Sequence, residues 1–225
     1  GCFADVSFET QALLNAGELI IAEGAQGTLL DIDHGIYPFV TSSNTIASTV
    51  YSGLGIRPNL DDKVIGVMKA YTTQVGRGPF PTRMSNYIEE EIVRRGKEFG
   101  TTTGRMRKCG WLDLPALKYA IRLNGCKEVC ITKLDILDTQ EQVMVCTGYQ
   151  LDGRDVPFTN DYRVLEKVQP VYKTFEGWRQ STEGITEYKW LPFFAKVYLE
   201  FLEKELNVSF SYIGTGPERG SLISR

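Results

Sequence analysis

The chain has one histidine, His34, among 225 residues, so a histidine-rich zinc or iron centre is excluded as its organising chemistry. Its five cysteines, at 2, 109, 126, 130 and 146, are odd in number and no pair has metal-ligand spacing. A reduced, cytoplasmic protein is the reading that fits, and a disulfide scaffold is not. No apolar run approaches the roughly 20 residues that span a bilayer, so no membrane partner is expected. Positive charge is in deficit: 25 Lys and Arg stand against 28 Asp and Glu, a net charge of −3. That balance argues against a general nucleic-acid or membrane-surface binder, and any anion site must be local. Repeats, low-complexity tracts and long linkers are also missing. So is an initiator methionine, and residues 10–14 read as the end of a helix already under way. A processed chain or a fragment is therefore expected.

What is present is an alternation of helical and strand patterns. Residues 18–23 (ELIIAE), 64–71, 129–132, 142–149 and 208–213 suit strands. Residues 44–55 suit a short helix halted by Gly53-Leu54-Gly55. In 85–95 the acidic residues come early and the basic ones late, matching a helix dipole, and Gly96 stops the run. Asp113 reads as the N-cap of a helix over 113–123, with Pro115 in its first turn and Asn124-Gly125 at its end. In 191–206 Phe194, Val197, Tyr198, Phe201 and Leu202 form one apolar stripe. The fold class expected is α/β, a largely parallel central sheet flanked by helices, with residues 1–225 as a single unit.

Ligands on such sheets bind beyond the carboxyl ends of the strands, and four loops in that position carry suitable chemistry. Thr132-Lys133-Leu134-Asp135 comes directly after the apolar VCI. A carboxylate here can accept from the N1–H and exocyclic amine of guanine together, a pair adenine lacks. The aliphatic stem of Lys133 can lie along a purine face. The segment resembles the (N/T)KxD guanine motif of GTP-binding proteins; a capping Asp beside a solvated Lys is the other reading. Gly214-Thr215-Gly216-Pro217 ends another strand, and its glycines let backbone approach a flat ligand. Between Gly100 and Lys108 stand Thr101, Thr102, Thr103, Gly104, Arg105 and Arg107, three hydroxyls with guanidinium forks suited to carboxylate or phosphate. The last loop is EGAQGTLLDIDHG at 23–35. Its Asp31, Asp33 and His34 have metal-like spacing but no further histidine, so no metal is expected. Gln26 offers both amide donor and carbonyl acceptor. Further on, Thr41-Ser42-Ser43-Asn44 offers hydroxyls at a helix start, suited to phosphate or to ordinary capping.

Together, EGAQGTLLDIDHG, YPFVTSSNT, GPFPT, EFGTTTGRMRKCGWLDLPAL, TKLDILD and TGPER resemble the C-terminal half of the adenylosuccinate synthetase family, from about residue 17 onward. The resemblance implies a P-loop-NTPase-like fold and GTP-dependent ligation of L-aspartate to IMP, on the way to AMP. GTP would phosphorylate the 6-oxygen of IMP, and the aspartate amine would then displace phosphate. By motif, Gln26, Thr41, Val75 and Arg105 would bind IMP. Thr101, Thr102, Thr103, Gly104, Arg105 and Arg107 would bind aspartate. Arg107, Lys133, Leu134, Asp135, Gly214, Thr215 and Gly216 would serve GTP.

The family pattern is not matched everywhere. Ile46-Ala47-Ser48 stand where small residues and glycines are usual, Gly214 where serine is frequent, and RMRK where the family carries more arginine. The family's catalytic Asp, Lys and His have no counterpart here, so no catalytic residue is assigned. The resemblance implies Mg²⁺ held mainly by that other half and by substrates, and a homodimer that shares an arginine. The 225 residues alone are expected not to turn over. A non-catalytic nucleotide-binding module derived from the family is the alternative.

Overall fold

A computed structural model of the chain describes residues 3–59, 61–100 and 104–225. It divides into two compact units, Gly1–Val64 and Ile65–Arg225.

In the first unit, α1 (Val6–Asn15) begins where the Asp5 carboxylate accepts from the Phe8 N–H at 3.1 Å. The second helix, α2 (Thr49–Leu54), ends at Gly55, whose φ of 64° is the left-handed cap that glycine adopts without strain. Ser7 Oγ donates to the Gly55 carbonyl at 2.7 Å and joins the two helices. Between them the chain is held by one carboxylate. Asp31 is fully buried and accepts from the N–H groups of Asp33 (2.9 Å), His34 (3.0 Å) and Thr45 (2.5 Å) and from Asn44 Nδ2 (3.3 Å). The acid of the DxDH stretch is thus a pin for its own loop. Residues 18–23 form no strand; Leu19 and Ile21 are 87% and 84% exposed. An apolar run becomes a strand only beside a hydrogen-bonding neighbour, and none of the described strands pairs with this one.

The second unit runs β1 (Ile65–Lys69), β2 (Thr72–Gln74), α3 (Asn86–Gly96), β3 (Lys108–Gly110), β4 (Leu112–Asp113), α4 (Leu114–Asn124), β5 (Glu128–Thr132), β6 (Gln142–Leu151), β7 (Arg154–Val156), the single turn α5 (Tyr162–Leu165), β8 (Gln169–Glu176), α6 (Phe193–Leu206), β9 (Ser209–Gly214) and β10 (Leu222–Ser224). Strands β1, β5 and β9 pair in parallel, in that order, and β10 joins β9 antiparallel. A second sheet gathers on β6, with β4 parallel to it and β7 and β8 antiparallel. Strands β2 and β3 form a separate antiparallel pair. The α/β alternation read from the sequence is therefore the fold, with an antiparallel sheet built beyond it.

Val129 and Ile131 of β5 enter the core with Phe210 and Ile213 of β9. The buried stripe of α6 is Ala195, Tyr198, Leu199, Leu202 and Leu206, a period of three and four residues as anticipated but rotated from the expected one. Phe194 is 42% exposed, and Phe201 packs at a tilt against Phe175 at the core edge. Tyr198 lies wholly inside and donates to the Ala70 carbonyl at 2.7 Å, tying α6 to the end of β1. The Asp113 cap and Gly125 stop of α4 are as read, the Asp113 carboxylate accepting from Ala116 N–H at 3.1 Å.

Burial pushes the Asp31 carboxyl up, but its hydrogen bonds from Thr45, His34, Asp33 and Asn44 outweigh this and hold it at about 2, below its usual 3.8. A depressed carboxyl contributes stability above its unfolded value and loses it as pH falls through the folded one. Asp31→Asn is expected to cost roughly 1–3 kcal/mol at neutral pH. The gap to wild type should close between pH 4 and 2. Thermal unfolding across that range, compared between the two proteins, checks it; a constant gap would refute it.

Candidate functional site

The parallel strands β1, β5 and β9 end side by side, and the segment after each strand carries polar chemistry. β1 ends at Lys69, β5 at Thr132 and β9 at Gly214. The register places Ile131 beside Ile213, so the turn after β5 and the turn after β9 are neighbours. A methyl group on Gly214 would lie 3.4 Å from Thr132 Cα, an ordinary contact.

Beneath these ends lies a residue that motif reasoning passed over. Glu98 comes just after α3 and its side chain has no exposed surface. Lys69 Nζ donates to both its oxygens (2.9 and 2.8 Å), Tyr71 Oη to Oε1 (2.6 Å) and Arg107 Nη1 to Oε2 (2.9 Å). Lys133 Nζ stands 3.1 Å from Oε1 and also donates to the Gly96 carbonyl. The three cations keep 24–32% of their side-chain surface exposed, so the carboxylate is the floor and the cations face outward. Burial pushes Glu98 up, yet the bonds from Lys69, Tyr71 and Arg107 hold its carboxyl at about 2. Burial likewise pushes Lys69 down, only partly offset by Glu98. Gly96 is glycine because a Cβ there would sit 2.5 Å from Tyr71 Oη. The signal available in sequence was a lone acid, KEFG, directly before a basic loop.

The turn after β5 begins with Lys133 in the left-handed region, φ 61°, and continues as a 3₁₀ turn over Leu134–Leu137. Leu134 is wholly buried, so only its backbone is offered outward. Arg95 of α3 donates to the carbonyls of Asp135 (3.0 Å) and Ile136 (3.3 Å) and fixes the turn. The Asp135 carboxylate accepts from its own N–H, and no side chain among the described residues donates to it. Burial pushes its carboxyl upward, helped by the charges of Asp138 and Glu183.

Asp138, three residues on, is occupied. It accepts from Trp178 Nε1 (2.6 Å), Thr182 N–H (2.7 Å) and Thr182 Oγ1 (2.9 Å). Segment 178–185 also holds the turn after β9. Thr215 donates its hydroxyl to the Ile185 carbonyl at 2.8 Å, and its carbonyl accepts from Gly184 N–H at 3.2 Å. Thr215 is fully buried, so its side chain is committed to this brace. Gly216 is half-buried, and a Cβ there would meet Ser221 at 3.1 Å.

Arg107 is half-buried on Glu98, whereas Arg105 is exposed and its carbonyl accepts from Gly100 N–H at 2.8 Å. Gly104 takes φ 61°. Thr101, Thr102 and Thr103 lie outside the described residues. Val75 stands just after β2 and is 51% exposed. Gln26 and Thr41 belong to the unit Gly1–Val64. Gln26 is exposed with φ 60°, and Thr41 is half-buried with its N–H on the Leu30 carbonyl at 2.8 Å. The structure thus brings Arg107, Lys133, Asp135, Gly214 and Gly216 to one end of one sheet. Among the described residues no three His, Cys, Asp or Glu side chains gather as a metal cage, and no helix is long and apolar enough to cross a membrane.

Comparison with known proteins gives a consistent result. The family model described as adenylosuccinate synthetase matches residues 1–223. The adenylosuccinate synthetase of Thermodesulfovibrio yellowstonii is 49% identical over 221 residues, 98% of this chain and 52% of that protein. That of Chlorobaculum tepidum is 48% identical over 219 residues, covering 95% and 50%. Among solved structures, a fully ligated adenylosuccinate synthetase from Plasmodium falciparum superposes with a TM-score of 0.96 at 37% identity, over 99% of this chain and 54% of that one. The chain spans about half the length of the relatives it matches.

Gly177 lets Trp178 reach Asp138, and a Cβ there would fall 1.8 Å from the Gln140 carbonyl oxygen. Gly177→Ala is expected to destabilise by about 3 kcal/mol or more. Gly214→Ser, with room for its Cβ, should change stability by less than about 1 kcal/mol. Denaturant titration of the two variants checks the contrast, and equal losses would contradict it.

Proposed function

Because the chain belongs to the adenylosuccinate synthetase family, we propose that it forms the C-terminal, substrate-binding half of an enzyme joining L-aspartate to IMP at the expense of GTP. The observation that carries this reading is Asp135. Its carboxylate is partly buried, matched by no side-chain donor among the described residues, and set beside the turn at the end of β9. Guanine supplies the two donors that such a carboxylate lacks, its N1–H and exocyclic N–H. The purine would lie against the stem of Lys133, with Leu134, Thr215 and Gly216 contributing backbone. Their internal bonds keep those groups still, which suits recognition.

Arg107 keeps one face toward solvent while Glu98 holds the other, as a group reaching for GTP phosphate or for a carboxylate would. Arg105, more exposed, would reach IMP and aspartate together, with Thr101, Thr102, Thr103 and Gly104 shaping that loop. Gln26, Thr41 and Val75 would bind IMP, Thr41 at its 5′-phosphate. Mg²⁺ would balance phosphate charge during transfer; this chain's described residues do not form its cage. The groups that move protons would come from the length of the family protein this chain does not span. Cytoplasmic location and a homodimer belong to the same proposal.

The test is nucleotide preference. Asp135→Asn replaces an acceptor by an amide that donates, which suits the 2-oxygen of xanthine and clashes with the guanine amine. GTP affinity should fall at least about 100-fold while XTP affinity rises, a difference of about 3 kcal/mol for a buried polar mismatch. Calorimetric titration with both nucleotides reads it, and unchanged GTP affinity would remove the guanine assignment. Turnover of IMP, aspartate and GTP with Mg²⁺ is expected only when the remaining half of a relative is supplied alongside.

A further inference from the structure

Two side chains that the guanine and anion assignments use, Lys133 and Arg107, come from different loops and end on the same carboxylate. Long cationic side chains lose rotamer freedom when they bind a ligand, and one already held loses less. We propose that Glu98 is a positioning residue, a buried counter-ion that presets the Lys133 ammonium and the Arg107 guanidinium for the nucleotide read by Asp135.

The geometry supports a positioning role in three ways. Glu98 has no exposed side-chain surface, so it acts through other residues. Each oxygen is shared: Oε1 serves Tyr71, Lys69 and Lys133, and Oε2 serves Lys69 and Arg107. Moving either cation therefore shifts the bonds of the others. Lys133 also sits in a left-handed backbone conformation that turns its side chain back across the end of α3, where the Gly96 carbonyl and Glu98 receive it. The ammonium is tied there, at the Gly96 carbonyl and Glu98. A purine platform needs its stem in place and its charge anchored, and Glu98 supplies the anchor. The same carboxylate prevents three neighbouring cations from driving one another apart. Part of each cation is left facing outward, where an anion can reach it.

The proposal rests on the guanine reading, and the experiment separates the two. GTP affinity is measured by calorimetry on the 225-residue chain, at a temperature where circular dichroism shows every variant folded. The set is wild type, Asp135→Asn, Glu98→Gln, Glu98→Asp, Lys133→Met and the double variant Glu98→Gln/Lys133→Met. Glu98→Gln and Lys133→Met are each expected to weaken GTP at least about tenfold, since either removes a charge-assisted tether. The double variant should be no weaker than the worse single one, because both remove the same tether. Glu98→Asp, which keeps the charge with a shorter reach, should recover part of the loss. A purely structural Glu98 would instead give lower unfolding temperatures with unchanged affinity, or losses that multiply in the double variant; either overturns the proposal. If Glu98→Gln does not fold, Lys133→Met against Lys133→Arg decides. Arginine can still reach Glu98 and should keep affinity, and a Lys133→Met chain that binds like wild type refutes the anchor. If wild type does not bind GTP, or Asp135→Asn changes nothing, the guanine reading fails and the proposal with it. Binding that depends on Asp135 but ignores Glu98 removes the positioning role alone.

Discussion

A carboxylate taken out of water is costly, and Glu98 exists as an anion only because four donors surround it. Those donors come from the end of β1, the residues just after it, the loop before β3 and the turn after β5. The candidate site is therefore assembled around one buried charge. Three cations share that one anion and keep part of their surface outward, within a chain whose net charge is −3. An anion site on an acidic protein needs such a local cluster of cations.

The second constraint is the brace over 178–185. Asp138 grips its start through Trp178 and Thr182, while Thr215 grips its end through Gly184 and Ile185. The turns after β5 and β9 are thus joined twice, by strand pairing beneath and by this segment beside them. The Glu98 cluster and the brace each depend on a glycine that admits a close neighbour: Gly96 against Tyr71 and Gly177 against Gln140. Neither glycine is needed for a left-handed backbone; each leaves space for another group.

Much of this was legible in the sequence where the signal was local. The Asp113 cap, the Gly125 stop, the strand before TKLD and the strand-end position of that loop and of Gly214-Thr215-Gly216 all depend on neighbours within a few residues or on strand-end logic. What was not legible depends on distant partners. Glu89 read as one of three acids complementing a helix dipole, yet it is buried, pairs with Arg83 at 2.8 Å and accepts from Cys109 N–H at 2.9 Å. Glu98 carried no motif and became the hub because residues 29 positions before and 35 after it converge there. The stripe on α6 was legible at Tyr198 and Leu202, with Val197 and Phe201 packed at the core edge, but Ala195, Leu199 and Leu206 complete the buried face and Phe194 does not enter it. Its apolar residues cover more than one face, and only the sheet it packs on sets the exact phase.

Three carboxylates in this region separate anchoring from recognition. Glu98 is driven down by its donors, whereas Asp135 and Asp138 are both driven up by burial. Direction of shift alone would rank the two aspartates together. Their hydrogen bonds do not. Asp138 accepts three bonds from Trp178 and Thr182 and has little left to offer a ligand. Asp135 is only half-buried, yet burial is still the main push on its carboxyl and no side-chain donor among the described residues offsets it. A fold that keeps such a group must recover the cost elsewhere, and a ligand carrying paired N–H donors is the direct way to do so. Unmet acceptor capacity, more than a perturbed titration, is what the proposed reading role of Asp135 rests on, whereas Asp138 and Glu98 are spent on their own donors.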